Sequence, residues 1–228
     1  MIRLTLALIA LAIPVAANAR DKTVMLTSFD RVRLEGPFDV TLTTGKGAGG
    51  VLSGDDRAIE RVNLRVEGRT LIVSAGVNGW GGYPGAASGQ VRIRVTTPSL
   101  RSAAVAGGGQ LRIDRMRAQQ IDLSVAGAGA LLVAGVEADQ VNATMNGTGA
   151  MTLAGKSGRA RFVNSGTGAI DAAGLAARDL TVLSQGMGTG SFNALHTADI
   201  SAMGLGSIAV AGPATCTVRG PGPVACGR

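Results

Sequence analysis

From residue 107 onward the chain alternates apolar and polar positions in short bursts, each centred on a G-x-G triplet. The triplets are GGG at 107, GAG at 127, GTG at 147, GTG at 166, GMG at 186, GLG at 204 and GPG at 220, so the steps are 20, 20, 19, 20, 18 and 16 residues. Four and two residues before the first glycine stand Leu123 and Val125, Ala143 and Met145, Phe162 and Asn164, Val182 and Ser184, Ile200 and Ala202, Cys216 and Val218. Two and four after the second stand Leu111 and Ile113, Leu131 and Val133, Met151 and Leu153, Ile170 and Ala172, Gly190 and Phe192, Ile208 and Val210, Val224 and Cys226. Most of these positions are apolar and those between them polar or small, which is the period-two mark of strands with one buried face.

Each unit therefore predicts a strand, a glycine corner, a second strand and a short return with a further small residue such as Gly135, Gly155, Gly174 or Gly212. A unit this short cannot bury enough apolar surface to order itself, so neighbours must stack and share ladder hydrogen bonds. The expected fold is all-β: a single-stranded parallel β-helix, or β-solenoid, with rungs of roughly 16–20 residues. Glycine serves its corners by allowing positive φ or close backbone approach. An up-and-down sandwich leaves the constant period and fixed phase unexplained.

Ahead of the repeats, FDRVRLEGPFDVTLTTG and ERVNLRVEGRTLIVSAG alternate as strands, the second turning at Glu67-Gly68-Arg69 like a hairpin. Between them and VRIRV (91–95) lies a glycine-rich loop, 76–89, with the only Trp and the only Tyr of the chain, Trp80 and Tyr83. Residues 1–19 carry Arg3, an apolar run from Leu4 to Val15 and Ala17-Asn18-Ala19, the pattern of a signal peptide cleaved after Ala19. That run is shorter than the ~20 residues of a membrane-spanning helix. The expected organisation is a leader, 1–19, and one domain, 20–228, with N-terminal strands over 20–100 and glycine-cornered repeats over 101–228. Such a chain is exported and stays in the periplasm or reaches the cell surface.

Charge is unevenly placed. Residues 20–117 hold 15 basic and 9 acidic side chains, a net of +6, whereas 118–228 hold 6 of each. Arg and Lys on alternate strand positions, as in VRIRV, fit a solvated face; the asymmetry also fits an anionic partner. No aromatic residues interleave with the basic ones, which argues against nucleic acid. The partner classes left are an envelope glycan, an anionic lipid head group or another protein, with the oligomeric state open.

Two cysteines in an exported chain predict one disulfide. Cys216 and Cys226 flank Pro221 symmetrically in the last rung, where a bridge closes it if their Cα atoms come within about 4.4–6.8 Å. Other chemistry is sparsely supplied, and no cofactor or metal is expected. GTGAMTLAGKS (147–157) ends like a phosphate-binding loop, but Ala150 stands where its first glycine belongs and SGRARFVNSGTG continues as the next strand and corner. Without a helix to open, Lys156 is expected to face solvent in a return turn. The same objection removes GMGTG (186–190) as a dinucleotide fingerprint. The single histidine, His196, reads as a solvated turn residue, and with two paired cysteines it makes no zinc site. Asp122, Glu137, Asp139, Asp171, Asp179 and Asp199 form no common column of the stack, as a carboxylate-based glycan hydrolase would require. Asn142 and Asn146 match a glycosylation acceptor pattern that stacked polar residues explain as well.

The succession FDRVRLEGPFDVTL, LRVEGRTLIVSAG and VRIRVTTPSLRSAAVAGGGQL, followed by the G-x-G repeats, resembles the GIN-domain family of autotransporter adhesin heads from Phe29 to the end. The strand ending in TPSL (97–100) and then VAGGGQL (105–111) is its most specific mark. The resemblance implies an exported β-helical protein and carries over no active site. The expectation is a noncatalytic cell-envelope scaffold or adhesion module, not an enzyme. A polysaccharide-acting β-helix enzyme and a purely structural periplasmic protein are the alternatives. Within the 76–89 loop Trp80 and Tyr83 either offer ring faces to a sugar or partner or fold back to cap the N-terminal end of the stack.

Overall fold

The computed structural model describes residues 20–76 and 91–227. The leader, Trp80 and Tyr83 lie outside the described residues. Seventeen strands and one short helix follow in chain order: β1 Arg20–Met25, β2 Arg31–Glu35, β3 Asp39–Thr44, β4 Gly49–Gly54, α1 Asp56–Glu60, β5 Val62–Glu67 and β6 Thr70–Ala75. Then come β7 Arg92–Thr97, β8 Ser102–Ala106, β9 Gln110–Ile113, β10 Met116–Gly127, β11 Ala130–Gly147, β12 Ala150–Asn164 and β13 Ala169–Ser184. The last are β14 Gly190–Ala202, β15 Ile208–Ala211, β16 Thr215–Arg219 and β17 Val224–Cys226. They form a β-solenoid of about 6 turns.

Strand register follows the sequence period. Ala130 pairs with Ala150, Ala150 with Ala169, Ile170 with Gly190, Gly190 with Ile208 and Ile208 with Val224, offsets equal to the triplet steps. Like positions therefore stack in columns, one running Ala103, Leu123, Ala143, Phe162, Val182 and Ile200 through the core. Side-chain volumes compensate between columns. The Phe162 and Phe192 rings meet with centroids 4.8 Å apart. Gly190 occupies an inward position held by Ile, Leu, Met or Val in the other rungs, and a Cβ there would fall 2.5 Å from the Phe192 ring. Rungs shorten from 20 to 18 residues in the β13–β14 return, where the register shifts between Ala172 and Ala176 and again between Ala177 and Asp179, and from 18 to 16 at the last corner, between the β14–β16 and β15–β17 pairings.

Close approach governs the glycine corners. A Cβ on Gly168 would press on the Gly149 carbonyl oxygen, one on Gly188 on that of Gly168, and one on Gly206 on that of Gly188, all inside the 3.0 Å that real Cβ atoms keep. The first glycines form a second such column from Gly147 to Gly204. Among the first glycines of the triplets, Gly107, Gly127, Gly147 and Gly220 have left-handed φ of 106°, 108°, 132° and 102°, and Gly166, Gly186 and Gly204 do not. The carbonyls that exclude a Cβ accept hydrogen bonds from the rung above, as Gly147 O does from Thr167 N at 2.9 Å and Gly168 N at 3.0 Å. Inside the corner the buried Asn164 donates Nδ2 to Gly168 O at 3.0 Å and accepts from Gly166 N at 3.2 Å, which satisfies a polar side chain in an apolar column.

The N-terminal strands belong to the same stack, in an order that departs from the chain's. β2 is parallel to both β6 and β8, and β3 to both β7 and β9, so the β2–β3 rung lies between the β6–β7 and β8–β9 rungs. Its corner is Gly36-Pro37-Phe38, with Gly36 at φ 115°. The β5–β6 hairpin turns at Gly68-Arg69. β5 pairs antiparallel with β6, β4 with β7 and β1 with β4, and these close the N-terminal end of the stack. Buried Asp30 fixes the inserted rung: its Oδ2 accepts from Arg69 Nη2 and Arg101 Nε, both at 2.8 Å, one arginine from each neighbouring rung. Backbone bonds repeat the bridge, from Asp30 N to Arg69 O at 3.1 Å and from Arg101 N to Asp30 O at 2.9 Å.

At the other end Cys216 and Cys226 form a disulfide across β16 and β17, with Cα atoms 6.6 Å apart. Two predictions follow from the stack. Gly168→Ala lowers unfolding free energy by at least about 2 kcal/mol, because backbone must move to admit the methyl group. Gly108→Ala, where a Cβ meets nothing within 4 Å, changes it by less than about 0.5 kcal/mol, and urea denaturation of the two variants separates them. Replacing both cysteines by serine speeds amide hydrogen exchange in β16 and β17 and leaves that of β10–β13 unchanged, since a stack of rungs frays from its end.

Candidate binding surfaces

Outward-facing side chains form columns as regular as the inward ones, and concavities interrupt them among the described residues. The largest of three, about 500 Å³, lies on the return face and is lined by Arg117, Gln119, Glu137, Asp139, Lys156 and Ser157 among others. Arg117, Glu137 and Lys156 are successive register partners. Arg117 Nε donates to Glu137 Oε2 at 2.9 Å and Lys156 Nζ lies 3.4 Å from Glu137 Oε1. The hydrogen bond from Arg117 holds the Glu137 carboxyl below its usual range, with Lys156 adding to the effect. The lysine of the phosphate-loop look-alike is thus one step of a charge ladder, inside a strand that continues past it, and its side chain is 73% exposed.

Glu137 and Asp139 line this concavity together. A general acid at neutral pH needs a raised pKa. Glu137 is shifted the other way, so its geometry suits an ion-paired strut.

A second concavity of about 370 Å³ lies on the outer face of β1, β4, β7 and β3, where Thr23, Thr41, Thr43, Lys46, Gly49, Val51, Arg94 and Thr96 surround it. A third, about 300 Å³, is formed by Thr44, Gly45, Pro98, Asp114, Arg115 and Arg117. The alternation of DVTLTTGKG and VRIRV assigns Thr41, Thr43 and Arg94 to an outward face. It cannot show that β7 comes to lie between β3 and β4, which is what gathers these residues, so the sequence pattern alone misses the second concavity.

His196 is 74% exposed in the irregular return of β14, and Nδ1 lies 3.2 Å from Asp179 Oδ1. Asp179 also accepts from Thr197 Oγ1 at 2.8 Å and from Arg178 Nε at 2.9 Å. Those three partners, Thr197 foremost, lower its pKa from 3.8 to about 2. Among the described residues no three His, Cys, Asp or Glu side chains come together as a metal site would require, and no helix is long and apolar enough to cross a membrane. Near the C-terminal end of the stack Met187, Met203 and Leu205 stand 64%, 61% and 78% exposed on adjoining corners, an apolar ridge beside the glycine columns.

The family profile described as "Putative auto-transporter adhesin, head GIN domain" matches residues 28–214. No curated protein matches the chain. Among solved structures, a "putative adhesin" from Bacteroides fragilis superposes with a TM-score of 0.82 at 21% identity, covering 92% of this chain and 98% of its own. A "putative adhesin" from Parabacteroides distasonis gives 0.70 at 18% identity, and a "putative lipid binding protein" from the same species 0.67 at 16%, each covering 93% of this chain and 98% of its own. At these identities the likeness establishes a shared fold.

The Asp179 cluster makes a testable case. Its folded pKa is depressed, so the stabilisation is complete above its ordinary value of 3.8 and is lost as pH falls toward about 2. Carboxyl ¹³C NMR titration is expected to give a midpoint near 2 for Asp179, and Thr197→Val, which removes the foremost cause, to move it upward.

Proposed function

The chain belongs to the family of the auto-transporter adhesin head GIN domain, and from that premise we propose that it is a noncatalytic, exported binding module of the cell envelope. The observation that carries this reading is the surface itself: a backbone-locked stack presents outward Arg, Lys and Thr side chains at fixed spacing, with concavities where the rows are interrupted. Such rows suit repeated, shallow contact with a glycan chain, an anionic head group or a protein edge, because a locked backbone has little freedom of its own to lose on binding. The leader pattern over 1–19 and the Cys216–Cys226 disulfide support export to an oxidising compartment.

A polysaccharide-acting enzyme draws support only from the placement of Glu137 and Asp139 in the largest concavity, and the lowered pKa of Glu137 opposes it. Trp80 and Tyr83 are proposed as additional contacts. The mature chain from Arg20 is expected to bind isolated envelope polysaccharide, envelope lipid or surface-protein fractions saturably and to release no reducing ends from the polysaccharide. Trp80→Ala/Tyr83→Ala is expected to weaken that binding. Absence of saturable binding to every fraction would overturn the reading, and sustained turnover would replace it with the enzymatic one.

A further inference from the structure

The concavity on the outer face of β1, β4, β7 and β3 has a composition that the other two lack. Its lining holds two cations, Arg94 and Lys46, and four threonines, Thr23, Thr41, Thr43 and Thr96, with no carboxylate among them. The largest concavity contains Glu137 and Asp139 beside its cations, and the smallest contains Asp114. We propose that this surface is a binding site for a phosphate monoester, carried by a sugar or by a lipid head group, with Arg94 and Lys46 as its charge partners and threonine hydroxyls as its donors.

Register brings the groups together. Thr23 pairs with Val51 across β1 and β4, Val51 with Arg94 across β4 and β7, Arg94 with Thr41 across β7 and β3, and Thr41 with Arg112 across β3 and β9. Register partners project to one side of a sheet, so Arg94 and Arg112 flank the Thr41 hydroxyl, with one strand spacing of about 4.8 Å on either side. The next outward row runs Gly49, Thr96 and Thr43. Glycine at 49 leaves the depression open: a Cβ there would already stand 3.6 Å from Thr96 Oγ1, and any longer side chain would fill the space.

The rim is equally determined. The chain leaving β3 crosses the end of β7 to reach β4, held by Gly45 N to Pro98 O at 3.1 Å and Thr96 Oγ1 to Gly47 O at 2.6 Å, and that crossing carries Lys46. Arg94 Nη2 donates to Ser53 Oγ at 3.1 Å and lies 3.9 Å from Asp21 Oδ2, so the guanidinium is oriented by a hydroxyl and only loosely neutralised. The side chain remains 60% exposed. Among the described residues the hydroxyls of Thr23, Thr41 and Thr43 hold no protein partner, whereas Thr96 is occupied by Gly47.

A guanidinium fork, an ammonium and several free hydroxyls supply more donors, and more positive charge, than one carboxylate can use. They match the three acceptor oxygens and near-double charge of a phosphate monoester.

This inference rests on the binding-module reading and is tested apart from it. The probes are glucosamine 1-phosphate, followed by NMR, and phosphatidylcholine vesicles with and without phosphatidic acid, followed by co-sedimentation. The mature chain is expected to bind glucosamine 1-phosphate or the phosphatidic acid vesicles. Arg94→Gln and Lys46→Ala are each expected to weaken that binding about tenfold, one charge-assisted contact being lost in either case. Arg219→Gln, at the far end of the stack, leaves it unchanged. Binding to the sugar phosphate alone assigns the site to a free or glycan-borne phosphate. Vesicle binding that glucosamine 1-phosphate displaces assigns it to a head group. No binding to either probe, or equal weakening by Arg219→Gln, overturns the site. If envelope fractions still bind while both probes fail, the site falls and the binding-module reading stands; if the probes bind and no fraction does, the reading falls instead.

Discussion

The structure depends on one contact repeated up the stack, the approach of corner backbone to corner backbone. Corner carbonyls point along the solenoid axis and receive amide hydrogens from the next rung, as Gly127 O does from Thr148 N at 2.9 Å and Gly149 N at 3.0 Å. That arrangement leaves no room for a Cβ at either end of the G-x-G triplets from Gly127 onward. The middle residue points away, and so it is free to vary through Ala128, Thr148, Thr167, Met187, Leu205 and Pro221. Every inward column follows from this fixed point, because strand pleat then decides which residues two and four positions away enter the core.

The same contact explains how far the fold could be read from the sequence. From the triplet at 107 to the one at 204 the phase of the buried positions was legible, and register offsets equal triplet spacings from β9 to β15; at the last triplet, spaced by 16, β14 and β16 keep an offset of 18, and Val218, expected inward, is exposed. The inserted rung escaped because its corner, Gly36-Pro37-Phe38, keeps only one glycine of the pair and stands outside the period. A local signal remains in hindsight: Val32, Leu34, Val40 and Leu42 occupy the same offsets about that corner and are all buried. Nothing local could have shown that β2 and β3 slot between β6–β7 and β8–β9. That order rests on long-range pairing and on the bridge from Asp30 to Arg69 and Arg101, whose partners are 39 and 71 positions away in sequence.

Candidate chemistry was less legible for a related reason. An exposed arginine on a strand looks the same in sequence whether it joins a solvated face or lines a depression. Arg33 shows the first outcome, exposed and paired with Glu35 along its own strand. Arg94 shows the second, because the antiparallel return of β4 beside β7 adds a wall that no repeat unit encodes. His196 and Asp179 similarly meet where β14 carries one more residue than β13, three steps from Ala194 to Thr197 facing two from Ala177 to Asp179.

These cases share a cause. A solenoid translated along its axis by identical rungs produces flat faces, since each outward column places like side chains at like heights. Concavity requires a break in that translation. The described residues supply two kinds, the bulged returns and the antiparallel strands laid against the N-terminal rungs. The charge asymmetry falls on the second kind: residues 20–117 carry the whole net positive charge of residues 20–228, while the regular rungs beyond are balanced. Regular stacking thus provides rigidity, and the net positive charge is concentrated in the part of the chain where antiparallel strands interrupt the stack.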